Sequence, residues 1–395
     1  MRIQSVLVAG VTLVSGLAAC GPAGSLRGLR SEPRSAHERY ARSLRDAGLD
    51  STAMGREWLA AGDSALRSPY QVTLPRREIG VYSRDEARAV AYSFPLRAGE
   101  RLRVELRAEG EASRLYLDLF EVGTDSLRPF DHLASAGPAT PADSAAPALT
   151  LDVEAPRTGM FALRLQPELL RRGRFELSFR VEPTLAFPVS GRSNAAIQSL
   201  FGVDRDGGRR AHHGIDIFAP RGTPALAGAD GVVRSIDPNP LGGNVVWLAD
   251  ERRSQVLYYA HLDRHNVVAG QRVRRGDTVG FVGNTGNART TPPHLHFGIY
   301  RRPEGPIDPL PFVWEVRDAA LAVTADTALL GRRATLRRGA PSRFALTPGG
   351  GTAATGALRP ADSLRVMGAA AGTYRVQLDD GRSGYLPAGS VRAAQ

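Results

Sequence analysis

Residues 292–300 read PPHLHFGIY, and residues 212–216 read HHGID. In an extended strand, side chains two apart share a face. His294 and His296 therefore project together, with Leu295 turned the other way. His212 and Asp216, an even number apart, share a face as well, and Gly214 between them leaves that face uncrowded. A third stretch, YYAHLD at 258–263, adds His261. Two neutral imidazoles and one carboxylate around an open coordination position make a catalytic zinc site. Six of the eight histidines lie between 212 and 296, which argues against scattered polar residues. His213 has the opposite parity, with Ile215 and Ile217, and reads as structural or solvent-facing. His265 is expected in the loop after its strand, with no role. The helical zinc signature H-E-x-x-H is absent. Its nearest approach, His37-Glu38, meets Ala41 where the second histidine would stand.

From about Phe187 to Tyr300 the text resembles the lysostaphin-type zinc metallopeptidases, or LytM-domain family, which has a duplicated hybrid motif fold and cuts peptides of bacterial peptidoglycan. The matching stretches are SLFGVDRDGGRRAHHGIDIFAPRGTPALAGADGVV, GGNVVWLAD, LYYAHLD, AGQRVRRGDTVGFVGNTGN and PPHLHFGIY. The resemblance implies that His212, Asp216 and His296 hold one Zn2+, and that His294 and His261 are unliganded catalytic residues. Zinc lowers the pKa of bound water to about 7. His294 would take the water proton and pass it to the leaving amine. His261 would donate to the oxyanion or orient a ligand. One departure is the TTPPHLHF text, where family members often have Gly before PHLHF; the extra proline stiffens the approach to the strand.

Outside this segment the pattern changes. Residues 1–19 carry Arg2, an apolar run too short to span a bilayer, and LAA before Cys20. This reads as a lipoprotein signal peptide. Cys20, the only cysteine, would carry the lipid anchor. With Gly21 following, the pattern resembles, in an envelope with two membranes, sorting to the outer membrane, facing the periplasm. Residues 20–69 read as a polar tether and a helical segment, each helix starting after a serine cap. Residues 70–183 alternate with period two through Leu102, Val104 and Leu106, then Leu115, Leu117 and Leu119, then Leu149, Leu151 and Val153. Phe161, Leu163 and Leu165 follow, then Phe175, Leu177, Phe179 and Val181. Half-buried strands at such spacing indicate a β-sandwich. Ser135–Ala148 and the Asp131-His132 pair read as surface loop. Residues 184–315 are the expected antiparallel β LytM-type peptidase domain, bounded by prolines. Residues 316–395 look like a bacterial SH3-like barrel, with Asp380-Gly381 as a hairpin turn and Tyr374 and Tyr385 as core. The expected fold class is mainly β and multidomain.

The 395 residues carry a net charge of +11 with no lysine. The arginines are dispersed, with no basic helix or aromatic-interleaved patch, so nucleic acid is not an expected partner. A basic surface favours anionic wall or membrane polymers. Three functions remain open: a zinc metalloendopeptidase cutting peptidoglycan cross-links, a non-catalytic LytM-type lipoprotein regulating other wall hydrolases, and a metallopeptidase acting on protein substrates. The complete set of ligands and accessory histidines favours the first. A protein activator is left open.

Overall fold

In a computed structural model the chain is described over residues 35–110, 114–124, 129–139, 148–205, 207–316, 319–340, 343–345, 354–359 and 362–394. The leader expected at 1–19, Cys20, the tether up to residue 34 and residues 140–147 lie outside the described residues. The described chain is mainly β. None of its helices is long and apolar enough to cross a membrane.

Two helices lead: α1 (Ala36–Asp46) and α2 (Ala53–Arg67). Ser35 Oγ caps the first by accepting from Glu38 N at 3.2 Å. The second is capped by Thr52 and not by the expected serine, its Oγ1 accepting from Gly55 N at 3.1 Å. Each such cap contributes about 1 kcal/mol. After a two-residue strand, Tyr70–Gln71, which pairs with the second of them, come β1 (Arg76–Tyr82), β2 (Val90–Leu96), β3 (Glu100–Gly110), β4 (Leu115–Val122), β5 (Phe130–Ala139), β6 (Leu149–Glu154), β7 (Gly159–Pro167) and β8 (Gly173–Pro183). One sheet runs β2-β7-β4-β5, and another runs β1-β8-β3-β6. Leu102, Val104, Leu106, Leu117, Leu163, Leu177 and Phe179, from both sheets, share one core. The period-two reading of these residues holds.

The half-buried expectation fails on two strands. Tyr116, Asp118 and Phe120 of β4 and Ala162, Arg164 and Gln166 of β7 are buried too, because the two helices cover that face. Trp58 of α2 donates Nε1 to Pro167 O at 2.7 Å. His37 stacks on Trp58 at 4.8 Å. Its Nε2–H donates to Gln166 Oε1 at 2.7 Å, while Arg164 donates to its Nδ1 at 2.9 Å. Both ring nitrogens are therefore spent on the neutral form, and burial beside Arg164 pushes its pKa down to about 4. His132 is likewise not in a loop. It sits half-buried in β5, 3.2 Å from Asp118, and residues 135–139 continue that strand. β5 ends its sheet, and an edge strand tolerates the proline and glycine that suggested a loop.

The next sheet is built on β9 (Ile215–Phe218), β10 (Asn244–Asp250), β11 (Gln255–His265), β12 (Thr278–Val282) and β13 (His294–Arg301). Its central order is β9-β13-β11-β10. Ile215, Ile217, Leu257, Tyr259, Leu295, Phe297 and Ile299 face one core. The opposite face is open. His265 ends β11 inside the strand, not in a loop after it.

The C-terminal strands β14 (Leu364–Ala370), β15 (Thr373–Leu378) and β16 (Ser383–Pro387) are antiparallel neighbours. Gly381 takes φ 87° in the expected Asp380-Gly381 turn. Among the described residues they do not close into a barrel. β14 instead pairs with β1 through Ile79↔Ala369 and Gly80↔Gly368, so the sheet runs β16-β15-β14-β1-β8-β3-β6. The unpaired edge of β1 explains the join. Across it lies a buried cluster. Fully buried Glu78 accepts from Arg375 Nε (2.7 Å), Tyr385 Oη (2.7 Å), Tyr92 Oη (2.8 Å) and Arg76. Burial alone would raise the Glu78 carboxyl, but Arg375 and Arg76 hold it down at about 2. Tyr374 and Tyr385 are core, as expected.

Candidate metal centre

The register of β9 against β13 builds the site. Asp216 lies opposite His296, and Phe218 opposite His294, on the open face. Ile217↔Leu295 and Ile215↔Phe297 alternate onto the core. Ala260 of β11 flanks His296 from the other side. Cross-strand partners stand about 4.5–5.5 Å apart, so Asp216 and His296 meet without any special loop. His212 arrives differently. It precedes β9, and strand parity does not place it. Its N donates to Val203 O at 2.9 Å and its O accepts from Gly202 N at 2.8 Å. Its Nδ1–H donates to Leu200 O at 2.8 Å, which leaves Nε2 bare and aimed inward. His213 is exposed.

His212 Nε2, Asp216 Oδ1 and His296 Nδ1 stand 3.0, 3.0 and 2.9 Å apart. They are a set of three donors grouped closely enough for one ion. One bare imidazole nitrogen, a second imidazole nitrogen and a carboxylate oxygen converge on the floor of an open groove. The three atoms form a set that a single cation would complete. Its N,N,O chemistry fits zinc. Gly214 is part of the fit: a Cβ there would lie 2.7 Å from His296 Nε2 and 2.5 Å from Phe297 O. Burial would raise the Asp216 carboxyl, but the His212 and His296 imidazoles against it hold it well below the usual carboxylate range. Burial depresses the His296 imidazole, against the pull of Asp216.

Two further imidazoles face the same space. His294 Nδ1–H donates to Pro292 O at 2.9 Å, so its bare Nε2 looks toward Asp216 Oδ1, 4.0 Å away. Its ring stacks on Phe218 at 5.0 Å. The proline that departs from the family pattern thus supplies the carbonyl that fixes this tautomer. His261 is 5.0 Å from His294 and 5.9 Å from His296, ring to ring. By parity it should face the core with Tyr259. A bulge prevents this: Asn244 pairs with Leu262 and Val246 with Tyr259, and His261 takes φ 60°. The bulge re-aims the ring onto the open face. Its Nδ1–H donates to Thr285 O at 2.9 Å. Burial, with His294 and His296 nearby, pushes its pKa down to about 4, so the ring is neutral at pH 7 with Nε2 bare.

Sequence reasoning missed Arg205. Its guanidinium donates to Asp216 Oδ2 at 2.7 Å and to Ser199 Oγ at 2.6 Å. Nothing marks it among so many arginines. It also missed the aromatic residues Trp247, Tyr258 and Tyr300, which extend the groove of about 570 Å3 around the cluster.

Residues 210–309 match the family model described as Peptidase family M23. The chain thus carries a segment of peptidase type, with its donor cluster inside the matched residues. It is 41% identical over 99 residues to the peptidoglycan DD-endopeptidase ShyC of Vibrio cholerae serotype O1, covering 24% of this chain and 22% of that protein. It is 37% identical over 143 residues to an L-Ala--D-Glu endopeptidase of Bacillus subtilis, covering 33% and 44%. A solved structure of LytU is 38% identical, with a TM-score of 0.28, over 30% of this chain and 83% of that one. The chain spans less than half the length of these two curated relatives.

Proposed function

We propose that this protein is a zinc metalloendopeptidase that hydrolyses peptide bonds of bacterial peptidoglycan. The observation that carries the reading is the convergence of three donors, His212, Asp216 and His296, beside two unliganded imidazoles with bare Nε2 atoms. The named endopeptidases to which the segment is similar support the substrate class. Zinc held by the three donors would supply a Lewis acid and a water of lowered pKa. His294, its Nδ1 tied to Pro292 O, receives the water proton at Nε2 and returns it to the leaving amine. His261 presents a lone pair and no proton, so oxyanion donation fits it poorly. It is better placed to accept a hydrogen bond from the attacking water or a substrate N–H. Arg205 holds the far oxygen of Asp216 so that Oδ1 faces the donors. The lipid anchor at Cys20 would keep the enzyme at the envelope, and the C-terminal strands, joined to the sandwich sheet through β14 and β1, would help to position it.

The test is metal content and turnover together. His294→Ala should keep near-stoichiometric zinc and lose about a hundred- to ten-thousand-fold in rate. His296→Ala should lose zinc and activity. Mass analysis of digested wall fragments identifies the bond cut. If the wild type hydrolyses no wall preparation while the donor variants keep zinc, the regulator role replaces this one.

A further inference from the structure

The donors divide the groove into two unlike flanks. On one side, the loop that carries Asn239 and Leu241 packs against His261. His261 N donates to Gly242 O at 2.7 Å, and Asn287 N donates to Leu241 O at 3.1 Å. Asn239, Leu241 and Asn287 line that side, and none of them is charged. On the other side, beyond Asp216, stand Arg205 and Arg210. Among the described residues that line the groove, these two are the only arginines and Asp216 is the only acid. The groove is thus basic along one flank.

A short ribbon fixes the pair. Asp204–Arg205 runs antiparallel to Arg210–Ala211, with Arg205 directly opposite Arg210. Directly opposite residues project from the same side of a ladder. The ribbon that aims Arg205 at Asp216 therefore aims Arg210 into the groove as well. It is tied to the donors by backbone, since His212 N donates to Val203 O and His212 O accepts from Gly202 N. The two arginines divide the work. Arg205 spends Nη2 on both Asp216 Oδ2 (2.7 Å) and Ser199 Oγ (2.6 Å), and so holds a donor. Arg210 stands half-buried in the groove wall, one ladder rung of about 5 Å away. Like charges across a ladder repel, and a carboxylate arriving from the groove offsets that repulsion. A guanidinium also grips a carboxylate through two parallel hydrogen bonds.

We propose that Arg210 is a specificity-determining residue that binds a free carboxylate on a substrate residue beside the bond being cut. This rests on the peptidoglycan endopeptidase reading above and narrows its substrate. In a linear peptide of neutral residues, every interior carboxyl is consumed by the next peptide bond. One stays free beside an interior bond where the chain branches through a side-chain amide. Arg210 thus selects branched cross-links that keep a carboxylate over neutral linear bridges such as oligoglycine.

The experiment compares kcat/KM on two soluble cross-linked stem peptides, identical except that the carboxylate beside the cut bond is free in one and a carboxamide in the other. Oligoglycine is the third substrate. The wild type should prefer the free carboxylate over the carboxamide by about ten- to a hundredfold, in KM more than in kcat, and over oligoglycine by at least as much. Arg210→Gln should bring the first preference toward unity by slowing the free form more than the carboxamide. Arg210→Lys keeps the charge without the planar fork and should restore part of the preference. Zinc content and thermal unfolding check each variant, and the wild-type comparison decides the matter even if neither folds. Equal wild-type rates on the two cross-linked peptides, oligoglycine cut as fast as the free form, or an Arg210→Gln variant that slows both cross-linked peptides equally would overturn the assignment and leave the peptidase reading standing. No cleavage of any substrate by the zinc-loaded wild type overturns the peptidase reading, and the assignment falls with it.

Discussion

Gly214 has no room for a side chain, because the His296 ring and the Phe297 carbonyl already occupy the space. Gly214→Ala should therefore tilt the imidazole away from its fellow donors. We expect zinc affinity, measured by chelator competition, to fall about 10–100-fold, the range for groups that orient a ligand. Unchanged affinity would show that the ring is free to move. Arg205→Ala should cost a similar factor, because Asp216 Oδ2 loses its guanidinium. This is the scale at which the sequence speaks most clearly. Strand parity puts His294 and His296 on one face, as the register bears out, whereas the donor set came from the resemblance, and Gly214 read as leaving its face uncrowded when the His296 ring in fact fills that space. His261 was legible as a motif but not as a direction, since its bulge contradicts parity. Arg205 was not legible, because its contact with Asp216 depends on the pairing of Asp204–Arg205 with Arg210–Ala211, which no spacing signals.

At the level of elements, the alternating strands revealed one face and hid the other. The helices were legible as amphipathic, but not as the lid that buries Tyr116 and Arg164. His37 tests that packing. Its native pKa of about 4 lies below the ordinary 6.5, so the folded state holds fewer protons than the unfolded one between these values. Its contribution is complete above pH 6.5 and is lost as pH falls toward 4. Over that window the loss should be on the order of 3 kcal/mol. A variant His37→Gln, unfolded by denaturant at pH 7 and pH 4.5, should show a shallower decline than wild type. Parallel declines would mean that the imidazole is not held neutral.

In the whole molecule, the pairing of β14 with β1 joins regions that read as separate modules. No local pattern signals it, because the partners lie far apart in sequence and Glu78 looks like an ordinary surface charge. Glu78→Ala would leave Arg76 and Arg375 buried without their carboxylate, and should cost about 3–5 kcal/mol in denaturant unfolding. A near-neutral result would mean that the cluster is wet. A fragment of residues 184–315 loses the Arg253–Glu154 ion pair and the Thr184–Gly99 hydrogen bond. It keeps the bond from Leu185 N to Phe312 O that ties its two ends together. It should bind zinc and cleave soluble wall peptides at a lowered melting temperature. The same join has a consequence for a chain that has been cut. The segment that holds the donors leaves one sheet after β8 and the chain returns to it at β14, so backbone continuity between the two is redundant once folding is complete. A single cut near the exposed Leu321, made through an inserted protease site, should give two bands on a denaturing gel and one active, undivided species on a native one.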